Sequence, residues 1–168
     1  LKLGGVKLFA DGSPQGKTAF WTEPLLTGGP AGETEYVGFP LFPPEAVTAV
    51  MAEFVKKGIQ TDTHANGDAA IDMVIDGLRQ AGALAAADRR GIVIHSQFMR
   101  PDQLDAYVEL GISPSFFTGH TFFWGDVHIE NVGMERASSI SPKAAPQAKG
   151  LRFGNHSDFA VTPMDPLL

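Results

Sequence analysis

The sequence predicts an α/β fold, and three observations carry the prediction. Short apolar runs alternate with segments of helical period, each helix-like segment stops at a glycine just before the next run, and three runs end on residues of metal-ligand type. Those three are Ile59-Gln-Thr-Asp-Thr-His64, Gly91-Ile-Val-Ile-His95 and Leu151-Arg-Phe-Gly-Asn-His-Ser-Asp158. Parallel strands joined by right-handed helical crossovers open their carboxyl ends onto one rim, where residues distant in sequence converge.

Taken in order, the first strand is expected over residues 3 to 9, with Lys7 inside Gly5-Val-Lys-Leu-Phe9. Residues 10 to 43 show neither period. Their bulky Phe20, Trp21, Tyr36 and Phe39 among Gly and Pro suit a long loop at the active rim. Pro44-Glu45 opens a helix from Ala46 to Lys57, with Val47, Val50, Met51, Phe54 and Val55 at helical spacing, and Gly58 ends it. A strand over 59 to 64 follows. Asp68 to Ala81 is amphipathic through Ile71, Val74, Ile75 and Leu78, with Asp68 placed to cap the helix, Gly67 to relax the turn before it and Gly82 to close it. A strand over 91 to 95, a helix from Pro101 to Leu110, and strands over 111 to 116 and 151 to 155 complete the pattern. Residues 117 to 149 read as a second irregular excursion carrying His120, Trp124, Asp126 and His128.

Five strands fall short of the eight that close a (β/α)8 TIM barrel, which takes about 250 residues. A chain of 168 residues supplies only the later strands of such a barrel, or else a complete open parallel sheet of the doubly wound kind. Its 43% apolar content suffices for one buried core. A net charge of -6 with interspersed signs excludes a basic stripe for nucleic acid or anionic lipid, and no apolar run reaches the roughly 20 residues of a membrane span. A soluble protein, placed in the cytoplasm, is the expectation. Without cysteine there is no disulfide, thiolate nucleophile or Cys-bound zinc.

Each candidate ligand has a plain alternative. His64 or His95 could be a strand-end histidine bonded to a carbonyl, and Asp158 a solvated loop aspartate. Lys7 in an apolar strand either snorkels outward, or pairs with an acid, Asp11 being near in sequence, or loses its proton and takes up carbon dioxide as a carbamate, whose two oxygens bridge metal ions. His120 and His128 could simply tie down their loop. His156, two residues before Asp158, fits a bond to a ligand better than coordination. Phe20, Trp21 and Phe123 either line an apolar pocket or pack beneath a loop.

Six strings resemble the amidohydrolase superfamily, specifically its YtcJ-like branch that includes N-substituted formamide deformylases. They are Gly5-Val-Lys-Leu-Phe-Ala-Asp-Gly-Ser13, His64-Ala-Asn-Gly-Asp-Ala-Ala-Ile-Asp72, Ile94-His-Ser-Gln97, His120-Thr-Phe-Phe-Trp-Gly-Asp126, Arg136-Ala-Ser-Ser-Ile-Ser-Pro142, and His156-Ser-Asp158 with Thr162-Pro-Met-Asp-Pro166. The resemblance implies strands four to eight of a metal-dependent hydrolase barrel. Within it, Lys7 matches the strand-four lysine, His64 and His95 the histidines of strands five and six, and Asp158 the strand-eight aspartate. The family's His-x-His of strand one occurs nowhere in the chain, and its flanking β-sandwich is missing too.

The resemblance therefore implies a partial barrel domain over residues 1 to 168, completed by the missing half or by a second copy, and inactive alone. It implies a divalent cation, first zinc, one or two ions, held by Lys7 (carboxylated where two bind), His64, His95 and Asp158. Asp158 would move the proton in cleaving a small amide or N-formyl C–N bond other than a peptide bond, with His120 polarising the substrate. Two other readings stay open, a non-catalytic interaction module and a phosphate- or nucleotide-binding sheet built on His64-Ala-Asn-Gly-Asp68.

Overall fold

A computed structural model describes residues 3–82 and 90–165. Its strands are β1 (Val6–Phe9), β2 (Thr61–Ala65), β3 (Ile92–His95), β4 (Ser113–Phe116) and β5 (Gly154–Asn155). They form one parallel sheet in the order β1-β2-β3-β4-β5. Helices α1 (Pro44–Lys56), α2 (Asp68–Gln80) and α3 (Pro101–Leu110) connect the first four strands, and α4 (Gly119–Ala137) and α5 (Ala144–Ala148) lie between β4 and β5.

Strand order discriminates between the two architectures. A doubly wound sheet reverses direction at a switch point and sends helices to both faces. Here the order never reverses, and α1 packs on α2 and α2 on α3, so the crossovers advance along one face. The sheet is open and singly wound, an arc of the barrel type.

Burial follows the pleat. Thr61, Thr63 and Ala65 of β2 are buried while Asp62 and His64 are half-buried, and Val93 of β3 is buried between the half-buried Ile92 and Ile94. The buried set meets Val47, Met51 and Val55 of α1, Ile71, Val74 and Leu78 of α2, and Leu104 and Tyr107 of α3 in one core. Removing such an aliphatic side chain from water contributes about 1.5–3 kcal/mol, so this face holds the arc together. The other face carries Lys7 and Phe9 beside Asp62 and His64, and is left partly open.

The helix stops behave as expected. Gly58, Gly82, Gly111 and Gly150 all adopt left-handed backbone, with φ from 67° to 71°. Residues 10 to 43 contain no helix or strand. Their Trp21 and Leu25 are buried with Phe98 and Val132 in a second core, so Trp21 anchors the loop rather than lining a pocket, and Phe20 packs against the first core.

Three expectations change. The excursion over 117 to 149 is largely helical, and its helical period is masked in the sequence because α4 is interrupted at Trp124 (φ -138°) and again at Gly133 (φ 81°), so no single period runs over the whole stretch. Asp68 does not cap α2, since Gly67 occupies that position and the Asp68 carboxylate turns to Thr22, Arg100 and Arg136. Gly67 itself has ordinary extended backbone, and it is required because a Cβ there would lie 1.9 Å from the Phe20 carbonyl oxygen.

Candidate active site

The site forms where β1, β2 and β3 end. In register Phe9 lies beside His64, and their rings are 5.4 Å apart. His95 pairs with Ala65 and Phe116, both buried on the helix side, so an unbroken pleat would send its side chain there too. Instead the chain turns left-handed at His95 (φ 74°) and Ser96 (φ 44°), and the imidazole comes to the rim, with His95 Nε2 3.1 Å from His64 Nδ1. Left-handed backbone at two successive non-glycine residues is costly, and such strain concentrates at functional sites.

His64 Nε2 stands 2.9 Å from the carbonyl oxygen of Gly12. A carbonyl only accepts, so it favours a proton on Nε2 and a lone pair on Nδ1 toward His95, whereas the Asn66 amide, 3.1 Å from the same Nε2, favours the opposite tautomer. Burial is the main influence holding both rings neutral. It draws His64 below 6.5, and His95 to about 2 with the help of its histidine neighbours His64, His156 and His120.

Two observations test whether a divalent cation suits this pair. The facing nitrogens are 3.1 Å apart, with ring centroids at 4.5 Å and planes at 79°, so the rings converge at an angle rather than end to end. Two nitrogens sharing a tetrahedral zinc at about 2.0–2.1 Å lie roughly 3.3 Å apart. In addition, the Gly12 carbonyl stands 2.9 Å from the other ring nitrogen of His64, placed to accept an N–H there as the partners of metal-binding histidines ordinarily do. The pair fits a cation.

Lys7 and Asp158 are placed differently from what the strand pattern implied. Lys7 is exposed on β1, its ammonium 4.9 Å from the Phe9 ring centroid. Burial lowers its pKa, opposed by the carboxylates of Asp158 and Asp62. Asp11 is not its partner. That carboxylate is fully buried and accepts from the amides of Phe20, Asn66 and Gly67. Asp158 lies beyond β5, in a turn at φ 51°, exposed but within electrostatic reach of Lys7, His64 and His156. Among the described residues no three His, Asp or Glu side chains converge closely enough to hold an ion. The structure therefore pairs His64 with His95 and leaves Lys7 and Asp158 on the same rim without joining them.

His120 and His128, both buried, meet through His120 Nδ1 and His128 Nε2 at 3.0 Å, with centroids 5.3 Å apart and planes at 17°, the end-to-end geometry of an N–H···N bond. An unbroken helix would set residues eight apart about 12 Å along its axis, so the break at Trp124 is what allows the pair. Burial lowers His120 to about 3 and His128 to about 4. Phe117 packs against His95, His120 and His156 alike and so links this pair to the rim.

His156 is more central than its spacing suggested. Its ring lies 5.0 Å from that of His95, and its Nε2 is buried without a partner, as is Nδ1 of His95. The functional residues that spacing missed are Gly12, whose carbonyl oxygen faces His64 Nε2, and Asn66, whose side-chain amide donates to that carbonyl and lies 3.1 Å from the same nitrogen. Only their place in the strings around Lys7 and His64 hinted at this.

The whole chain, residues 1–168, matches the amidohydrolase family. The chain belongs to that family. Protein LONG AFTER FAR-RED 3 of Arabidopsis thaliana is 30% identical over 99% of this chain and 28% of its own length. YtcJ of Bacillus subtilis (strain 168), named as a putative amidohydrolase, is 24% identical over 100% of this chain and 30% of its own length. Solved structures of uncharacterized metal-dependent hydrolases from Pyrococcus furiosus and Pyrococcus horikoshii OT3 superimpose with TM-scores of 0.75 and 0.78 at 27% and 25% identity, covering 96% and 98% of this chain and 32% and 31% of theirs. The amidohydrolase chain thus spans under a third of the length of the curated relatives it matches.

A cavity of about 760 Å³ lies elsewhere on this amidohydrolase chain, among Phe98, Arg100, Leu104, Val132, Arg136 and Lys149. None of the histidines lines it. Its cations are already engaged, Arg100 by Asp68, Asp72 and Asp102, Arg136 by Glu23 and Asp68, and Lys149 by Asp105. Phe123 stands half-exposed beside His156 instead, where it lines a small cleft. Among the described residues no helix is long and apolar enough to cross a membrane.

Proposed function

We propose that this chain supplies the His64, His95, Lys7 and Asp158 side of the active site of a metal-dependent hydrolase acting on amide or N-formyl C–N bonds of small molecules. The observation that carries the proposal is the convergence of His64 Nδ1 and His95 Nε2 at 3.1 Å, reached through left-handed backbone at His95. Family membership and similarity to metal-dependent hydrolases support it.

His64 and His95 would hold a divalent cation, zinc first among candidates for nitrogen and oxygen donors, which when bound would supply Lewis-acid polarisation and a lowered pKa for water. The chain's own groups do the rest. His64 is held for binding by its bond to Gly12. Lys7, on the same rim with its pKa lowered, is the group that would take up carbon dioxide and extend the donor set with oxygens. Asp158, exposed on a turn of the rim rather than locked in a strand, accepts a proton at its carboxylate and returns it to the departing amine nitrogen. His120, oriented by His128, is assigned to polarising the substrate carbonyl. The missing donors and the covering of the open sheet face come from the rest of the barrel or from a second copy of the chain.

The nucleotide-binding alternative is less favoured, because the amides of Asn66 and Gly67 just ahead of α2 are taken by the Asp11 carboxylate. The test is metal content, measured by elemental analysis, alongside hydrolysis of N-formyl and N-acyl amines by the intact protein. His64→Ala and His95→Ala are each expected to lower metal affinity by more than about tenfold and to abolish turnover. Full activity in either variant would refute the proposal, and a stable, metal-free, inactive assembly would favour an interaction module.

A further inference from the structure

The tautomer of His64 decides whether its Nδ1 can bind a cation, and the surroundings of Nε2 leave that decision finely set. Three polar groups face Nε2. The Gly12 carbonyl oxygen at 2.9 Å and Asp11 Oδ1 at 3.5 Å are acceptors, whereas Asn66 Nδ2 at 3.1 Å is a donor. If Nε2 carries the proton, it donates to Gly12 and Nδ1 is free to bind. If Nε2 is bare, it accepts from Asn66, the proton moves to Nδ1, and the binding nitrogen is blocked.

Asp11 is built to tip this balance. Its carboxylate is fully buried at the end of β1 and accepts from Phe20 N at 3.0 Å, Asn66 N at 3.0 Å and Gly67 N at 2.8 Å. Those bonds tie the β1 end, the β2 turn and the long loop into one unit, and they fix the Gly12 carbonyl that follows Asp11 in sequence. Asn66 Nδ2 also donates to that carbonyl, at 2.8 Å, a shorter contact than the 3.1 Å to the imidazole. A carboxylate oxygen beside Nε2 favours an N–H there over a lone pair, since two acceptors facing each other repel.

We propose that Asp11 is a positioning residue that holds His64 as the Nε2–H tautomer and so keeps its Nδ1 available to the cation. The consequence for metal binding rests on the reading given under Proposed function, whereas the tautomer does not.

The experiment reads the ring nitrogens of His64 by two-dimensional 1H–15N NMR on the intact, metal-free protein at about pH 8.5, above the value of about 7 to which burial raises Asp11, so that its carboxylate is ionised. The unmodified protein is expected to show a protonated Nε2 and a bare Nδ1. Asp11→Asn, which keeps the size but removes the charge, is expected to move the His64 signals toward the Nδ1–H form and to weaken zinc binding by about 10- to 100-fold, the usual effect of losing such outer support. Asn66→Ala removes the competing donor and should leave the Nε2–H tautomer in place. A proton on Nδ1 in the unmodified protein, unchanged His64 signals in a folded Asp11→Asn, or loss of the Nε2–H form in Asn66→Ala would each overturn the proposal. The first and third readings hold even where Asp11→Asn does not fold. If the unmodified protein binds no zinc but the tautomer results are as stated, the metal reading fails and the role of Asp11 stands.

Discussion

At the scale of single residues, buried titratable groups give the protein a pH dependence whose sign can be worked out. His128 is lowered from 6.5 to about 4 by burial. Below pH 6.5 the unfolded chain therefore takes up a proton that the folded chain refuses, and stability falls as the pH drops toward 4, by at most about 1.4 kcal/mol for each tenfold rise in proton activity. Asp11 runs the other way. Burial raises it from 3.8 to about 7 against the pull of three backbone amides, so between those values the folded chain keeps a proton the unfolded chain has lost, and stability falls as the pH rises. Urea midpoints at pH 7, 5.5 and 4.5 should show His128→Gln with a flatter acid limb than the unmodified protein. An equally steep limb would mean that His128 is not the source.

At the scale of elements, the loop after β1 is seated on the start of α2 by contacts that leave no room for a side chain. A Cβ on Gly67 would fall 1.9 Å from the Phe20 oxygen and 2.6 Å from its carbonyl carbon, both backbone atoms that cannot swing aside. Gly67→Ala is expected to destabilise the fold by about 2 kcal/mol or more, read as a lower urea midpoint. The Asp68 carboxylate joins the same loop, through Thr22, to α3 through Arg100 and to α4 through Arg136. Asp68→Asn should weaken all three at once by about 1–3 kcal/mol. Limited proteolysis should then cut first within residues 17 to 42, and unchanged cleavage there would argue against this coupling.

At the scale of the whole molecule, the arc buries one face of its sheet and leaves the other partly open, with β1 and β5 at its two ends among the described residues. Unpaired strand edges beside exposed Phe9 invite pairing with another chain. The 168-residue chain expressed by itself is expected to associate in a concentration-dependent way in light scattering, and supplying the complementary barrel strands of a relative should suppress this. A stable monomer at high concentration would show that the open face needs no cover.

Periodicity and helix stops were legible because they are local: α1, α2 and α3 each bury one stripe, and each needs left-handed backbone at its end. So was the family, through short strings whose order is a property of the chain. The break in α4 was not legible, since nothing in the residues around Trp124 marks where the helix is interrupted so that His120 and His128 can meet. Nor was the place of Asp11, which one sequence neighbour, Lys7, made look like an ion-pair partner, while the amides that claim it come from residues 20, 66 and 67. The sequence by itself determined which residues can carry chemistry and which strands follow one another. Tertiary structure alone decided that His95 leaves the pleat to meet His64, and that one nitrogen of His64 faces a carbonyl, because those outcomes depend on the relative position of three strand ends and not on any one of them.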